Sequence, residues 1–212
     1  MFQVFNKYSD RYELWFEQNV LAYQSEIAAV REFIPENGQG MEVGIGSGRF
    51  AIPFSIQEGV EPSDTMRNIA IDRGLHAILG FGEKLPYKDC EFDFVLMVTT
   101  ICFVDDALQC CKEAWRVLKK NGHLIIAIVD KTSFLGKQYV QIKEENVFYK
   151  DANFYSAHEI KDMMELTGFR SIDYRQTIFK IPSLIKTIEP VKNGHGEGAF
   201  VVIRGIKESQ EL

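Results

Sequence analysis

The stretch MEVGIGSGRF, Met41 to Phe50, decides how this chain is interpreted. A short apolar run with one acidic residue is followed by glycines at alternate positions, Gly44, Gly46 and Gly48. In doubly wound α/β folds, the turn after the first strand directs backbone N–H groups and a helix N-terminus into the crevice beyond the strand ends. Glycine at such a turn lets a ligand lie against the main chain. The stretch therefore predicts a ligand-binding turn, with a turn that serves packing alone as the alternative.

An acidic residue, Glu61, follows at the end of the second predicted strand, where it can accept hydrogen bonds from both hydroxyls of a ribose. NAD and S-adenosylmethionine both carry that diol. The rest of the ligand separates them, because carboxylates repel a pyrophosphate and attract an ammonium and a sulfonium. Glu42, directly before the glycines, favours the cationic ligand, and so does Arg49, which stands where GxGxxG needs its third glycine. Counting from Gly46, GxGxxA is satisfied with Ala51, so the dinucleotide stays an alternative.

Strand-like and helix-like runs alternate from about Met41 to Val129, as in βαβ units. FDFVLMV, Phe92 to Val98, is strongly apolar, as expected of a strand buried on both faces in the middle of a sheet. Apolar residues at helical spacing between Arg11 and Ile34 predict a helical N-terminal extension. The other predicted elements are a strand from Gly40 to Val43, a short helix from about Arg49, a strand ending near Glu61, a helix capped by Ser63 or Asp64 and ended by Gly74, a strand from His76 to Leu79, a helix capped by Asp105 or Asp106, and a strand from His123 to Val129 after a turn at Asn121 and Gly122.

The C-terminal part is predicted to finish the sheet with antiparallel strands. SAHE, Ser156 to Glu159, fits a capping box that opens a helix closed by Gly168. Thr177 to Ile181 and Ala199 to Gly205 are predicted as two strands of a hairpin. The sequence thus predicts one α/β domain over 1–212, doubly wound and mostly parallel, with helices on both faces. Its predicted parts are a helical extension over 1–37, a cofactor-binding core over 38–130, an acceptor-specificity region over 131–180 and a terminal hairpin over 177–206.

Composition excludes several classes of protein. The chain has 212 residues, 46% of them hydrophobic, which suffices for one buried core. Its longest apolar runs are far shorter than the roughly 18 residues that span a bilayer, so no membrane partner is expected. The four cysteines lack CxxC spacing and the N-terminus is polar from Asn6 onward, which predicts reduced thiols and a cytoplasmic location. A net charge of -6, with no basic run longer than Lys119-Lys120, argues against a nucleic-acid partner.

Four segments, in order, resemble the successive motifs of class I S-adenosylmethionine-dependent methyltransferases of the type 11 kind: MEVGIGSGRF, GVEPSDTM, GEKLPYKDCEFDFVLM and WRVLKKNGHLIIAI. The terminal hairpin is similar to the end of that family's seven-stranded sheet. The resemblance implies that Glu61 holds the ribose of S-adenosylmethionine and that Glu42 contacts the methionine part or supports the loop. Phe81 stands where the family often has an aspartate for the adenine, so we expect Gly82 and Glu83 to replace that contact. The cofactor residues implied are Glu42, Gly44, Gly46, Gly48, Arg49, Glu61, Pro62, Met66, Gly82, Glu83, Leu85, Thr99 and Thr100.

Methyl transfer requires the protein to hold a nucleophile near an activated methyl group and to exclude water. Many members of the resembled family carry histidine after the fourth strand, where this chain has Cys102 and Phe103, so the most obvious general base is missing. Threonines at that strand end, in place of carboxylates, argue against a metal site. The candidate catalytic residues are Thr100, Cys102 and Asp130, the last being equally suited to capping a turn. The candidate acceptor-pocket residues are Tyr8, Tyr12, Trp15, Phe103, Phe134, Tyr139 and Tyr155.

The sequence therefore predicts an S-adenosylmethionine-dependent methyltransferase that acts on nitrogen or oxygen of a small molecule, with an amine as one candidate acceptor. One alternative is an NAD(P)-dependent oxidoreductase that uses the same glycine turn and acidic strand end. The other alternative is a non-catalytic protein that binds S-adenosylmethionine, because the missing histidine is compatible with lost turnover.

Overall fold

A computed structural model describes residues 3–208 and contains one eight-stranded sheet flanked by helices. The ends of the predicted domain, 1–2 and 209–212, lie outside the described residues. The strands are β1 (Gly40–Val43), β2 (Glu58–Val60), β3 (His76–Ile78), β4 (Phe92–Val98), β5 (Leu118–Val129), β6 (Arg170–Thr177), β7 (Lys192–Asn193) and β8 (Phe200–Ile206). The α-helices are α1 (Gln3–Lys7), α2 (Ser9–Gln18), α3 (Val20–Arg31), α4 (Asp64–Asp72), α5 (Ala107–Val117), α6 (Phe134–Gln141) and α7 (Ala157–Thr167).

The strand order is β3-β2-β1-β4-β5-β8-β6-β7. Strands β1 to β5 pair in parallel, and β8, β6 and β7 are added in antiparallel pairs beyond β5. The predicted doubly wound α/β sheet with antiparallel C-terminal strands is confirmed. The chain runs from β1 outward to β3 on one side and from β4 outward on the other, so the β1/β4 boundary is a switch point. Ligands of such sheets bind beyond the strand carboxyl ends at this point.

Two apolar layers cover the two faces of the sheet. Helices α2, α3, α4 and α6 contribute to the cluster on one face, and α5 and α7 contribute to the cluster on the other. In β4, Leu96 packs in the first cluster, whereas Val95 and Met97 pack in the second. The prediction that this strand is buried in the middle of the sheet is thus confirmed, and the physical reason is its apolar run, which only Asp93 interrupts.

Several predicted helix ends are confirmed by their caps. The Ser63 hydroxyl accepts the Met66 N–H at the start of α4, and the Asp106 carboxylate accepts the Gln109 N–H at the start of α5. Ser156 and Glu159 form the predicted capping box of α7, and Gly168 ends that helix with φ of 112°. Each cap satisfies backbone groups that a helix end leaves unpaired, which is why such residues mark helix boundaries in sequence.

Two predicted boundaries inside the core differ from the structure. The short helix predicted from about Arg49 is a single 3₁₀ turn over Ile52–Phe54, because proline at its centre and a left-handed Ser55 stop further winding. The strand predicted to start after Gly122 begins before it, in β5, and passes through a bulge in which Asn121 has φ of 61°. Asparagine tolerates that backbone conformation, so the apparent turn signal marks a bulge within the strand.

The predicted first strand of the terminal hairpin, Thr177 to Ile181, is wrong. That strand is β6, which pairs with β8 and ends at Thr177. Ile178 has φ of 63°, and the Phe179 N–H donates to the buried carboxylate of Glu189, so the chain leaves the sheet there. The two-residue β7 makes eight strands where the family resemblance predicts seven.

Within residues 3–208 no helix is both long enough and apolar enough to cross a bilayer.

Candidate active site

A cavity of about 180 Å³, here called the glycine-loop cavity, opens beyond the carboxyl ends of β1, β2 and β4 at the switch point. Nine of the predicted cofactor residues line it: Gly44, Gly46, Glu61, Pro62, Met66, Gly82, Glu83, Thr99 and Thr100. Its other walls include Phe5, Tyr12, Phe81, Phe103 and Asp105. The sequence motifs, which are far apart along the chain, therefore meet in one crevice because parallel strands end at the same edge.

The three glycines of the first loop have positive φ values but different surroundings. A Cβ on Gly44 would stand 2.5 Å from the Thr100 side chain, and a Cβ on Gly48 would stand 2.3 Å from Leu75 Cδ1. A Cβ on Gly46 would have its nearest neighbour, Met66 Cε, at 3.6 Å. Gly44 and Gly48 are thus required by packing and by backbone conformation. Gly46 leaves its main chain open to the cavity. The packing role predicted as an alternative therefore applies to Gly44 and Gly48, and the ligand-binding role applies to Gly46.

Glu61 is buried at the end of β2 and supports the loop directly. Its Oε2 accepts the Gly46 N–H at 2.9 Å, and its Oε1 accepts the Ser63 N–H at 2.8 Å. Burial raises the pKa of this carboxyl, and the two backbone hydrogen bonds oppose the shift. A carboxylate has about four acceptor sites, so two remain for hydroxyl groups of a ligand. The geometry fits the ribose contact predicted for Glu61.

Glu42 lies beneath the loop and does not line the cavity. It accepts the Ala51 N–H, and its Oε2 has no hydrogen-bond partner among the described residues. Burial, and then the neighbouring Glu61, raise its pKa well above the ordinary value. An unpaired buried carboxyl oxygen is costly, so a cationic ligand above the loop would stabilise the ionised form of Glu42.

The charges around the glycine-loop cavity discriminate between the two candidate ligands. Glu61, Glu83 and Asp105 line it, and within residues 3–208 neither lysine nor arginine does. Such a surface repels a pyrophosphate and accommodates the ammonium and sulfonium of S-adenosylmethionine. The residues present therefore fit the predicted methyl donor and do not fit the dinucleotide.

Two predicted cofactor residues point elsewhere. Arg49 pairs with Glu13 of α2, with 2.5 Å between Nη2 and Oε2, and Arg73 pairs with the same carboxylate at 2.6 Å. These bonds fasten α2 to the glycine loop. Leu85 is buried in the core, where its N–H donates to Glu113. In neither case could the motif alone reveal the partner, because both partners come from distant helices.

A second cavity, here called the aromatic cavity, adjoins the first and has a volume of about 240 Å³. Both cavities are lined by Phe5, Tyr12, Thr99 and Phe103, which stand between them. Eleven of the twenty residues lining the aromatic cavity are phenylalanine, tyrosine or tryptophan, and five of them are the predicted acceptor residues Tyr12, Trp15, Phe103, Tyr139 and Tyr155.

Two predicted acceptor residues are outside both cavities. Phe134 is 41% exposed on α6, and Tyr8 packs against Phe148 with ring centroids 6.2 Å apart. Phe5 and Glu26 also line the aromatic cavity and are not among the predicted residues. A glutamate among apolar positions of α3 is the signal that marks Glu26 in the sequence.

The three candidate catalytic residues have different environments. Thr100 lines the glycine-loop cavity, and its hydroxyl donates to the Val98 carbonyl. Cys102 lines the aromatic cavity, where burial raises its pKa to about 12. Asp130 lines neither cavity, because its Oδ1 accepts the Thr132 N–H and its Oδ2 accepts the Ala157 N–H. Asp130 is therefore a cap of the turn and of α7, which was one of its two predicted roles.

Metal ligands are not gathered in the part of the chain that the structure describes: no group of three or more histidine, cysteine, aspartate or glutamate side chains is placed to hold an ion.

Comparisons with known proteins agree with this geometry. Residues 41–126 match the family model of the methyltransferase domain named Methyltransf_11. The uncharacterized protein MJ1123 of Methanocaldococcus jannaschii is 48% identical over 204 residues, which cover 96% of this chain and 98% of that protein. The uncharacterized protein Rv2003c of Mycobacterium tuberculosis is 32% identical over 208 residues, covering 94% and 72% of the two chains.

A solved structure extends the similarity to the whole fold. The crystal structure of an S-adenosylmethionine-dependent methyltransferase of Thermotoga maritima, described as a possible histamine N-methyltransferase, has a TM-score of 0.96 and 52% identity. The match covers 98% of this chain and 100% of that one. This chain belongs to the S-adenosylmethionine-dependent methyltransferases, and S-adenosylmethionine is its methyl donor.

Proposed function

We propose that the protein transfers a methyl group from S-adenosylmethionine to nitrogen or oxygen of a small molecule, and that an amine is the acceptor class. The observation that carries this proposal is the aromatic cavity beside the glycine-loop cavity, with Tyr12, Thr99 and Phe103 between the two. The aromatic cavity is large enough for a small molecule only, since its volume is about 240 Å³. Its ring faces attract positive charge, which favours an amine.

The side chains of the protein orient the methyl donor and exclude water from the acceptor. S-adenosylmethionine, when bound, supplies a methyl group already activated by its sulfonium. Glu61 and the open main chain at Gly46 orient the donor, and the aromatic side chains keep water from the acceptor. Burial and the carboxylate of Glu42 raise the pKa of Tyr12, so its phenol stays protonated and can donate a hydrogen bond between the two cavities.

The aromatic cavity contains no thiolate that could act as a strong base. The raised pKa of Cys102 keeps its thiol protonated at neutral pH, and no histidine lines the cavity within residues 3–208. An amine suits such a site, because it needs only to lose a proton to become nucleophilic. The description of the Thermotoga maritima relative as a possible histamine N-methyltransferase supports the same acceptor class for this chain. The four free cysteines of this chain support a cytoplasmic location.

A product assay tests the proposal. The purified protein is incubated with S-adenosylmethionine and separate panels of amines, phenols and carboxylates, and mass spectrometry detects products that have gained one methylene. We expect products from amines, and Glu61→Ala as the matched control should form much less at limiting donor. Products from carboxylates alone would overturn the acceptor class. Tight binding of S-adenosylhomocysteine with no product from any panel would favour a protein that has lost turnover.

A further inference from the structure

One carboxyl group of the aromatic cavity is not explained by the fold or by donor binding. Glu26 projects from α3 and lines the aromatic cavity but not the glycine-loop cavity. Among the described residues it has neither a hydrogen-bond partner nor an ion-pair partner. Glu26 is half-buried, and a carboxylate that lines an aromatic cavity without a partner is costly, so its position favours a ligand with positive charge.

The other polar groups of the cavity do not neutralise Glu26. Arg11 is the one basic side chain in the described lining; it is exposed, and its guanidinium lies over the Phe148 ring at 5.6 Å from the centroid. The phenols of Tyr12, Tyr139, Tyr149 and Tyr155 have pKa values raised by burial and stay uncharged. The Cys102 thiol is uncharged for the same reason. Among the described residues that line the interior of the cavity, Glu26 is therefore the side chain that can carry a charge, and that charge is negative.

We infer that Glu26 is the counter-ion of a positively charged group on the methyl acceptor, which makes the acceptor an alkyl or arylalkyl amine that enters as its ammonium form and gives one proton to the Glu26 carboxylate before its nitrogen attacks the methyl group. This inference rests on the proposed function and names its substrate class more narrowly. The apolar body of such an amine packs on the aromatic walls, where its charge is also attracted to ring faces. An alcohol of the same shape can pack on the aromatic walls in the same way, but it carries no charge to pair with Glu26.

The proton balance of binding provides a direct signature. Burial raises the pKa of Glu26 to about 8, so at pH 7 the empty cavity holds this group mainly as the neutral acid. An alkylammonium that pairs with Glu26 displaces that proton to solvent, and nothing is oxidised or reduced. With a pKa of about 8, most of a proton is released per amine bound at pH 7. A neutral alcohol releases none.

The test is calorimetry on the protein saturated with S-adenosylhomocysteine, at pH 7, in two buffers that differ in ionisation enthalpy. The probes are butylamine, benzylamine and phenethylamine, each paired with the alcohol of the same skeleton. We expect at least one amine to bind about tenfold more tightly than its alcohol, with release of close to one proton. If no amine binds more tightly than its alcohol, the inference is overturned, whatever the proton release.

Variants locate the effect. In Glu26→Gln, the preference for amines and the proton release should both disappear, whereas Glu26→Asp should keep part of both. Glu17→Gln, on an exposed position of α2, is the matched control and should behave as the wild type. Affinity for S-adenosylhomocysteine should be unchanged in all three variants, which shows that each is folded, because neither glutamate lines the glycine-loop cavity. If Glu26→Gln does not fold, the graded loss in Glu26→Asp decides the question.

Failure of the inference about Glu26 can be distinguished from failure of the proposed function. If wild type and Glu26→Gln methylate amines with equal kcat/KM, the proposed function stands and the role of Glu26 is refuted. If wild type binds amines with proton release and yet forms methylated product only from phenols or carboxylates, Glu26 binds a cation, but the amine acceptor and the placement of that cation on the acceptor are both refuted.

Discussion

Replacement of Glu61 by alanine tests the central contact of the donor site. This carboxylate accepts the N–H groups of Gly46 and Ser63 and is placed to accept two ribose hydroxyls. Removing two charge-assisted hydrogen bonds to the ligand costs about 1.5 kcal/mol each at the low end of the usual range, hence about 3 kcal/mol together. We expect S-adenosylhomocysteine to bind roughly 100-fold more weakly.

The same substitution should destabilise the ligand-free protein, because two backbone N–H groups lose their hydrogen-bond acceptor. Each loss costs about 1–3 kcal/mol, and water that enters from the adjoining cavity replaces part of it. We therefore expect the free energy of unfolding to fall by about 2 kcal/mol, which lowers Tm by roughly 4–8 °C for a chain of this size.

Calorimetric titration with S-adenosylhomocysteine and thermal denaturation of the free protein measure the two effects. Glu58→Ala is the matched control, since Glu58 is on the same strand and pairs with the exposed His76 outside the cavity. Its affinity for S-adenosylhomocysteine should stay within about twofold of wild type. An affinity of Glu61→Ala within about threefold of wild type would refute the assignment of Glu61 to the ribose.

Three further results are expected. Gly48→Ala should lower the free energy of unfolding by about 2 kcal/mol more than Gly74→Ala, since both glycines have similar φ values, 83° and 88°, but only the first Cβ meets a core side chain, at 2.3 Å; equal losses in denaturant titrations would contradict this. Iodoacetamide at pH 7.5 should modify exposed Cys90 and spare Cys102, whose pKa is raised to about 12; peptide mass mapping would show the reverse if Cys102 were a thiolate. Relative to Glu26→Gln, the wild type should lose stability as pH rises from about 4.5 to 8, because the unfolded chain releases the Glu26 proton first, whereas the raised pKa values of Glu42 and Glu61 act on both proteins alike; the difference in unfolding free energy should shift in favour of the variant by up to about 5 kcal/mol by pH 9, and parallel pH curves of Tm would contradict it.

Most of the fold was predictable because its signals are local. These signals depend on neighbouring residues along the chain: the apolar run of β4, the caps at Ser63 and Asp106, and the capping box of α7. The misplaced hairpin strand shows the limit of such signals. Thr177 to Ile181 has strand-like composition, but the chain leaves the sheet there and the Phe179 N–H bonds to Glu189, a residue outside the stretch that the prediction considered.

For the site, the sequence by itself determined the glycine loop, Glu61 and hence the class of cofactor, because those residues form one local strand–turn unit whose chemistry is readable in order. Only the tertiary structure decided that Arg49 belongs to Glu13, that Asp130 is a cap, and that Glu26 stands unpaired in an aromatic cavity. The physical reason is that an ion pair, a cap across elements and the walls of a cavity are made by segments that meet only when the sheet and helices have packed.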